Sequence, residues 1–132
     1  TLELRIARDL PPVLADPDRV EQILINLMTN AVQYSPAGGK ITVFAQALDP
    51  FVEVGVVDTG IGIAAEHLPH IFERFYRVDK SRARQSGGAG IGLTIARHLV
   101  YAQGGEIWAE SAGPGRGSTF RFTLPMYEPT FK

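Results

Sequence analysis

Cysteine is absent from this 132-residue chain, which excludes disulfides and thiolate metal sites and agrees with a reducing compartment. It has no run of the roughly 20 apolar residues that a membrane-spanning helix needs, and no secretory leader is expected from its first residues. Charge of one sign is also missing. Thirteen Lys and Arg face fourteen Asp and Glu, a formal charge of -1, so nothing global points to nucleic acid or anionic lipid. What is present is ordinary globular material, 45% hydrophobic and 20% charged, at a length that fits one domain with one core. The chain opens on Thr1 and goes straight into a strand pattern. It is therefore expected to be a domain of a longer protein, in whose remainder a membrane segment could lie.

Leu2, Leu4 and Ile6 alternate with Glu3 and Arg5 and read as a half-buried strand. Pro11-Pro12 interrupts it, and Val13-Leu14-Ala15 reads as a short second strand. Asp16-Pro17 marks a helix start, an N-cap followed by a proline whose missing N–H costs nothing there. That helix runs to about Tyr34, with Val20, Ile23, Leu24, Leu27, Met28 and Ala31 on one face. Ile41 to Ala47 and Val52 to Asp58 form a hairpin about Asp49-Pro50. A short helix is expected over Ala64 to Leu68, stopped by Pro69. A second long helix follows from Ile91 to Ala102, with Ile91, Ile95, Leu99 and Ala102 inward and Gly104-Gly105 as its cap. Glu106 to Glu110 and Thr119 to Leu124 close the chain as strands. The order β-β-α-β-β-α-loop-α-β-β predicts an α/β fold with a mostly antiparallel sheet covered on one face by helices.

The densest chemical signal is Asp58-Thr59-Gly60-Ile61-Gly62 behind the strand that ends at Asp58. It sets a carboxylate at a strand end, with glycines that allow a sharp turn and close approach of a ligand. On the first helix Asn26, Asn30 and Gln33 share a stripe beside the apolar face. Their amide oxygens suit Mg²⁺, which keeps most of its waters; taken alone, the pair is better explained by a fraying cap at Asn30 and a solvated Asn26. Gly87-Gly88-Ala89-Gly90-Ile91-Gly92 leads into the second long helix. Glycine N–H groups at a helix start bind phosphate, although a plain hinge is the competing reading. Residues 77–90, with Arg77, Lys80, Arg82 and Arg84, read as a functional loop.

Rival nucleotide motifs do not fit. No Lys follows the glycines as a P-loop requires. Gly60-Ile61-Gly62-Ile63-Ala64-Ala65 imitates a dinucleotide fingerprint with Asp79 about twenty residues on, but Pro69 breaks its helix and its strand belongs to a hairpin. The motifs of serine/threonine protein kinases are missing.

Taken in order, the motifs resemble those of the ATP-binding catalytic domain of bacterial sensor histidine kinases, within the larger family that includes gyrase, MutL and heat-shock chaperone ATPases. Asn26 to Tyr34 is similar to the N box of that family and Asp58 to Gly62 to its G1 box. Ile71 to Arg77 is similar to the F box and Gly88 to Leu93 to the G2 box. The resemblance implies a Bergerat-type two-layer α/β sandwich, a mixed, mostly antiparallel sheet of about five strands under three helices. It implies ATP or ADP with Mg²⁺ as cofactors, Asn26 as the metal ligand and Asn30 and Gln33 by the phosphates. Tyr34 would line the base pocket and Asp58 would accept from the adenine amino group, with Gly60, Gly62 and Ile63 around it. Arg77, Gly88, Gly90, Ile91, Gly92 and Leu93 would complete the nucleotide site, and residues 77–90 would be a lid over ATP. Phe72 and Phe75 would anchor the lid through the core.

Two departures stand out. Gln33 replaces a Lys of most family members, and Arg82 or Arg84 is expected to make up part of the missing charge. Gln103 stands where His is frequent, a difference expected to matter little.

Position 26 separates two mechanisms, because the ATPase branches carry Glu there as a base and the amide of Asn26 takes no proton. The resemblance thus implies transfer of the γ-phosphoryl to a histidine on a separate dimerisation hairpin, with no catalytic residue on this chain. His67, His70 and His98 lack the phosphoacceptor context. Partners implied are that hairpin and a cognate response regulator, with no nucleic acid and no direct membrane contact. The domain alone would be monomeric and cytoplasmic, its parent anchored in the inner membrane. A degenerate nucleotide-sensing module and an anti-sigma-type protein-serine kinase are the alternative readings.

Overall fold

Asp16 and Pro17 open the first helix, as their chemistry predicts. In the computed structural model, which describes residues 1–35, 38–73 and 91–127, α1 spans Pro17–Tyr34 and the Asp16 side chain accepts from the Asp18 N–H at 2.9 Å. One of the donors that a helix start leaves open is thereby satisfied. Ile23, Leu27 and Ala31 are buried along a single stripe, with Val20, Leu24 and Met28 packed at its margins.

The second helix, α2, spans Ile91–Ala102. It buries Ala96 and Val100, while Leu93 and Leu99 pack against the core. Of the expected inward row Leu99 packs against the core, but Ile95 is 41% exposed and Ala102 is exposed. The helix carries apolar side chains on more than one row, so periodicity alone cannot choose between them; the small Ala96 fits the tightly packed side. At its end Gly104 takes φ +84°. Gly104 N–H donates to Tyr101 O and Gly105 N–H to Val100 O, both at 3.1 Å, the paired bonds of a left-handed helix stop. Gln103 does more than expected: its Oε1 accepts from Asp16 N–H at 2.6 Å and its Nε2 donates to Leu99 O at 3.3 Å. The end of α2 is thus tied to the start of α1.

Five strands, β1 Leu2–Ile6, β2 Ile41–Leu48, β3 Phe51–Asp58, β4 Ile107–Glu110 and β5 Ser118–Pro125, form one sheet in the order β1-β2-β3-β5-β4. β1 runs parallel to β2 and every other pairing is antiparallel. Register places Val43, Val56 and Phe120 in one row and Val54, Phe122 and Ile107 in another. These residues meet the buried stripes of both helices in a single core. The architecture is the expected two-layer α/β sandwich, with two helices among the described residues.

Three local expectations fail for identifiable reasons. Leu2, Leu4 and Ile6 are 57%, 65% and 53% exposed, because β1 lies at the edge of the sheet beyond the helical layer. Val13-Leu14-Ala15 yields only an isolated bridge, Val13 to Met126, after two prolines without backbone donors. Residues 65–72 form hydrogen-bonded turns in place of the short helix. His67 N–H bonds Ala64 O, His70 N–H bonds His67 O and Glu73 N–H bonds His70 O, each at 2.9 Å. Pro69 has no N–H to continue an i to i−4 ladder.

Candidate functional site

β3 ends at Asp58, which is only 4% exposed. Its Oδ1 accepts from Gly60 N–H at 2.8 Å and its Oδ2 from the Ser118 hydroxyl at 2.7 Å. Ser118 comes opposite Asp58 by the β3–β5 register. Each carboxylate oxygen has two lone pairs, so both retain acceptor capacity after these bonds. Ser118 is the residue that reading the sequence missed. Its only local signal is a hydroxyl at a strand start, and the pairing that gives it meaning is sixty residues away in the chain.

A Cβ on either glycine behind Asp58 would meet protein backbone. A Cβ on Gly60 would lie 2.2 Å from Tyr34 O, the carbonyl that accepts from Ile61 N–H at 3.1 Å. Gly62 has φ +74° and its Cβ would meet Gly113 O at 2.1 Å. Gly117 N–H donates to Gly60 O and Gly115 N–H to Ile61 O. Lys40 N–H donates to Thr59 Oγ1, and Ser111 Oγ accepts from Ile63 N–H. The turn that carries Asp58 is therefore stitched to α1, to the start of β2 and to the loop before β5. Ile63 is buried in the core.

On α1, Asn26, Asn30, Gln33 and Tyr34 are all partly buried. The Asn26 Nδ2 donates to Gly92 O at 3.1 Å, and its Oδ1 accepts from Gln22 Nε2 at 2.8 Å. α1 therefore joins both glycine runs: Asn26 reaches the first turn of α2, and the Tyr34 carbonyl reaches the Asp58 turn. The Gln33 Nε2 is buried without a hydrogen-bond partner, an open donor of the kind that costs stability unless something accepts from it. Leu93 packs against the core; of Ile91 the backbone alone is described. Arg77, Gly88 and Gly90 lie outside the described residues, as do Phe75, Lys80, Arg82, Arg84 and the whole stretch 77–90. Phe72 is buried and meets Phe120 edge-on at 6.0 Å between ring centroids, the core role expected of it.

The donor chemistry suits a magnesium nucleotide. Among the described residues no group of three or more His, Cys, Asp or Glu gathers as a metal cage. Asn26 Oδ1 offers a hard, neutral oxygen with one lone pair beyond its bond to Gln22. An ion that takes few protein ligands and keeps waters and phosphate oxygens fits that donor.

Comparison with known proteins identifies the family. Residues 15–128 match the model of the family described as histidine kinase-, DNA gyrase B-, and HSP90-like ATPase. Over 127 residues the chain is 44% identical to the sensor histidine kinase WalK of Bacillus subtilis, covering 92% of this chain and 21% of WalK. It thus spans about a fifth of that kinase. Its structure is similar to the catalytic domain of histidine kinase ThkA in a nucleotide-free form, at TM-score 0.79 and 30% identity, covering 95% of this chain and 78% of the other. Full-length ShkA in complex with AMPPNP is similar over 97% of this chain and 26% of its own, at TM-score 0.81 and 33% identity.

Proposed function

The chain belongs to the family of histidine kinase-, DNA gyrase B-, and HSP90-like ATPases, and from that premise we propose that it is the ATP-binding catalytic domain of a sensor histidine kinase. It binds Mg-ATP and supplies the γ-phosphoryl group to a histidine on a separate helical hairpin. The observation that carries this reading is the convergence on α1, where Asn26 meets Gly92 and the Tyr34 carbonyl meets the Asp58 turn.

The roles are those the family resemblance implies, and the chemistry of each group is compatible with its role. Asp58 accepts from the adenine amino group, its carboxylate held by Gly60 and Ser118, while Tyr34 lines the base pocket. Asn30, the open Gln33 donor and the N–H of Gly92 serve the phosphates; the family resemblance adds Arg77, Gly88 and Gly90, which lie outside the described residues. Asn26 would hold Mg²⁺, which when bound would screen the phosphate charge. An amide at position 26 cannot take a proton from water, so this domain binds the nucleotide and orients its γ-phosphoryl for an outside nucleophile. Positioning and charge neutralisation are then what the protein contributes.

The phosphoacceptor hairpin, a response regulator, a cytoplasmic site and a membrane-anchored parent belong to this proposal. Among the described residues no helix is long and apolar enough to cross a membrane. The test mixes the chain with its own helical hairpin and γ-labelled ATP. Acid-labile, base-stable label on the hairpin is the expected result. ATP binding without label would favour a nucleotide-sensing module, and acid-stable label on serine of a partner would favour an anti-sigma-type kinase.

A further inference from the structure

The amide of Asn26 is held between a backbone carbonyl and a second amide. Gln22 lies four residues earlier on α1, so the two side chains share a face. Gln22 Nε2 donates to Asn26 Oδ1 at 2.8 Å, and Asn26 Nδ2 donates onward to Gly92 O at 3.1 Å. The direction of this relay is set at its far end. A backbone carbonyl only accepts, so the Asn26 NH₂ must face Gly92 and its oxygen must face Gln22. Gln22 must then present its own NH₂.

We propose that Gln22 is a positioning residue for the metal: the Gly92 carbonyl fixes the sense of the Asn26 amide, and the Gln22 donor steadies its Oδ1 where that oxygen meets the divalent cation of the nucleotide. The inference rests on the reading of Asn26 as the Mg²⁺ ligand. A flipped amide would point N–H bonds at the cation, and Mg²⁺ takes oxygen ligands. Gln22 spends one Oδ1 lone pair and leaves the other for the metal. Its side chain is exposed and belongs to no part of the core, so packing does not explain its contact. Partners of this kind orient a ligand without touching the metal, and losing one weakens metal binding while the ligand itself remains.

The experiment titrates ATP into this chain in Mg²⁺ and in EDTA and reads the ratio of the two affinities. Wild type, Gln22→Met, Gln22→Glu and Asn26→Ala are compared, with melting curves to confirm folding. Gln22→Met keeps the length and apolar stem but has no donor. It should keep the metal-free affinity within about twofold and lose about tenfold of the Mg²⁺ advantage. Gln22→Glu has no donor either and should lose the advantage likewise; a Glu that keeps or increases it would make position 22 a direct ligand and overturn the proposal. If Asn26→Ala loses the advantage while Gln22→Met keeps it, the positioning role alone falls. If wild type shows no Mg²⁺ advantage, or Asn26→Ala retains it, the reading of Asn26 falls and the proposal with it.

Discussion

Replacing Asp58 by Asn exchanges one carboxylate oxygen for an NH₂ group, and the surroundings decide where that group goes. Gly60 N–H is a fixed donor 2.8 Å from Oδ1, so an NH₂ there would set donor against donor. Asn must therefore turn its oxygen to Gly60 and its NH₂ to Ser118, 2.7 Å from Oδ2. The Ser118 hydroxyl can rotate to accept. Both bonds survive in number and lose only their charge assistance, a cost of about 1–2 kcal/mol in all. The domain should stay folded. Binding is another matter: an adenine amino group bonded to Oδ2 would now meet an N–H, and one bonded to Oδ1 would lose its charged acceptor. Losing a bond to a charged group and leaving a donor unsatisfied costs about 3–5 kcal/mol, roughly 10²–10³-fold or more in affinity. Calorimetric titration with ATP, paired with a melting curve, reads both quantities. An Asp58→Asn protein that melts normally and binds ATP within about threefold of wild type, a difference well under 1 kcal/mol, would refute the reasoning.

Other substitutions test the frame around the site. Gly62→Ala forces a left-handed φ of +74° on a residue with a side chain and drives its Cβ to 2.1 Å from Gly113 O. The conformational cost alone is about 1–2 kcal/mol. The melting temperature should fall by at least about 5 °C, and an unchanged melt would show that the turn can relax. Gln103→Ala removes the acceptor for Asp16 N–H and the donor to Leu99 O. It should cost about 1–2 kcal/mol and speed amide exchange at the start of α1, where no change would deny the tie between the helices. Glu3 is held below the usual carboxylate range by hydrogen bonds from Lys40 and then Arg5. A depressed folded-state pKa contributes stability above the unfolded value that is lost as pH falls through the folded one. The melting gap between wild type and Glu3→Gln should therefore close in acid, and a gap that widened there would contradict the sign.

The parts of the fold that were legible depend on local chemistry. Asp16-Pro17 and a clean 3.6-residue row specify α1, and alternation about Asp49-Pro50 specifies the β2–β3 hairpin. The parts that were not legible depend on neighbours distant in the chain. Which row of α2 faces inward depends on how closely Ala96 lets it approach. Whether Leu2, Leu4 and Ile6 are covered depends on how far the helical layer reaches.

The site divides in the same way. The motifs of Asn26, Asn30, Asp58 and Gly92 are visible as spacings, but Ser118, Gln22 and Gln103 gain their roles only through side-chain partners. Gly60 and Gly62 were read as room for a ligand. The structure adds a second reason for them, backbone passing within about one atom's width at the Tyr34 carbonyl and the Gly113 carbonyl.

The central claim is that this pocket reads adenine through a carboxylate and holds its phosphates with magnesium. Titrating wild-type chain with ATP and with GTP in Mg²⁺ tests it most directly, since guanine presents a carbonyl where adenine presents its amino group. Saturable one-to-one ATP binding, with GTP weaker by at least about tenfold, is predicted from an acceptor set against an acceptor. Equal affinity for the two nucleotides, or no saturable ATP binding, would contradict it.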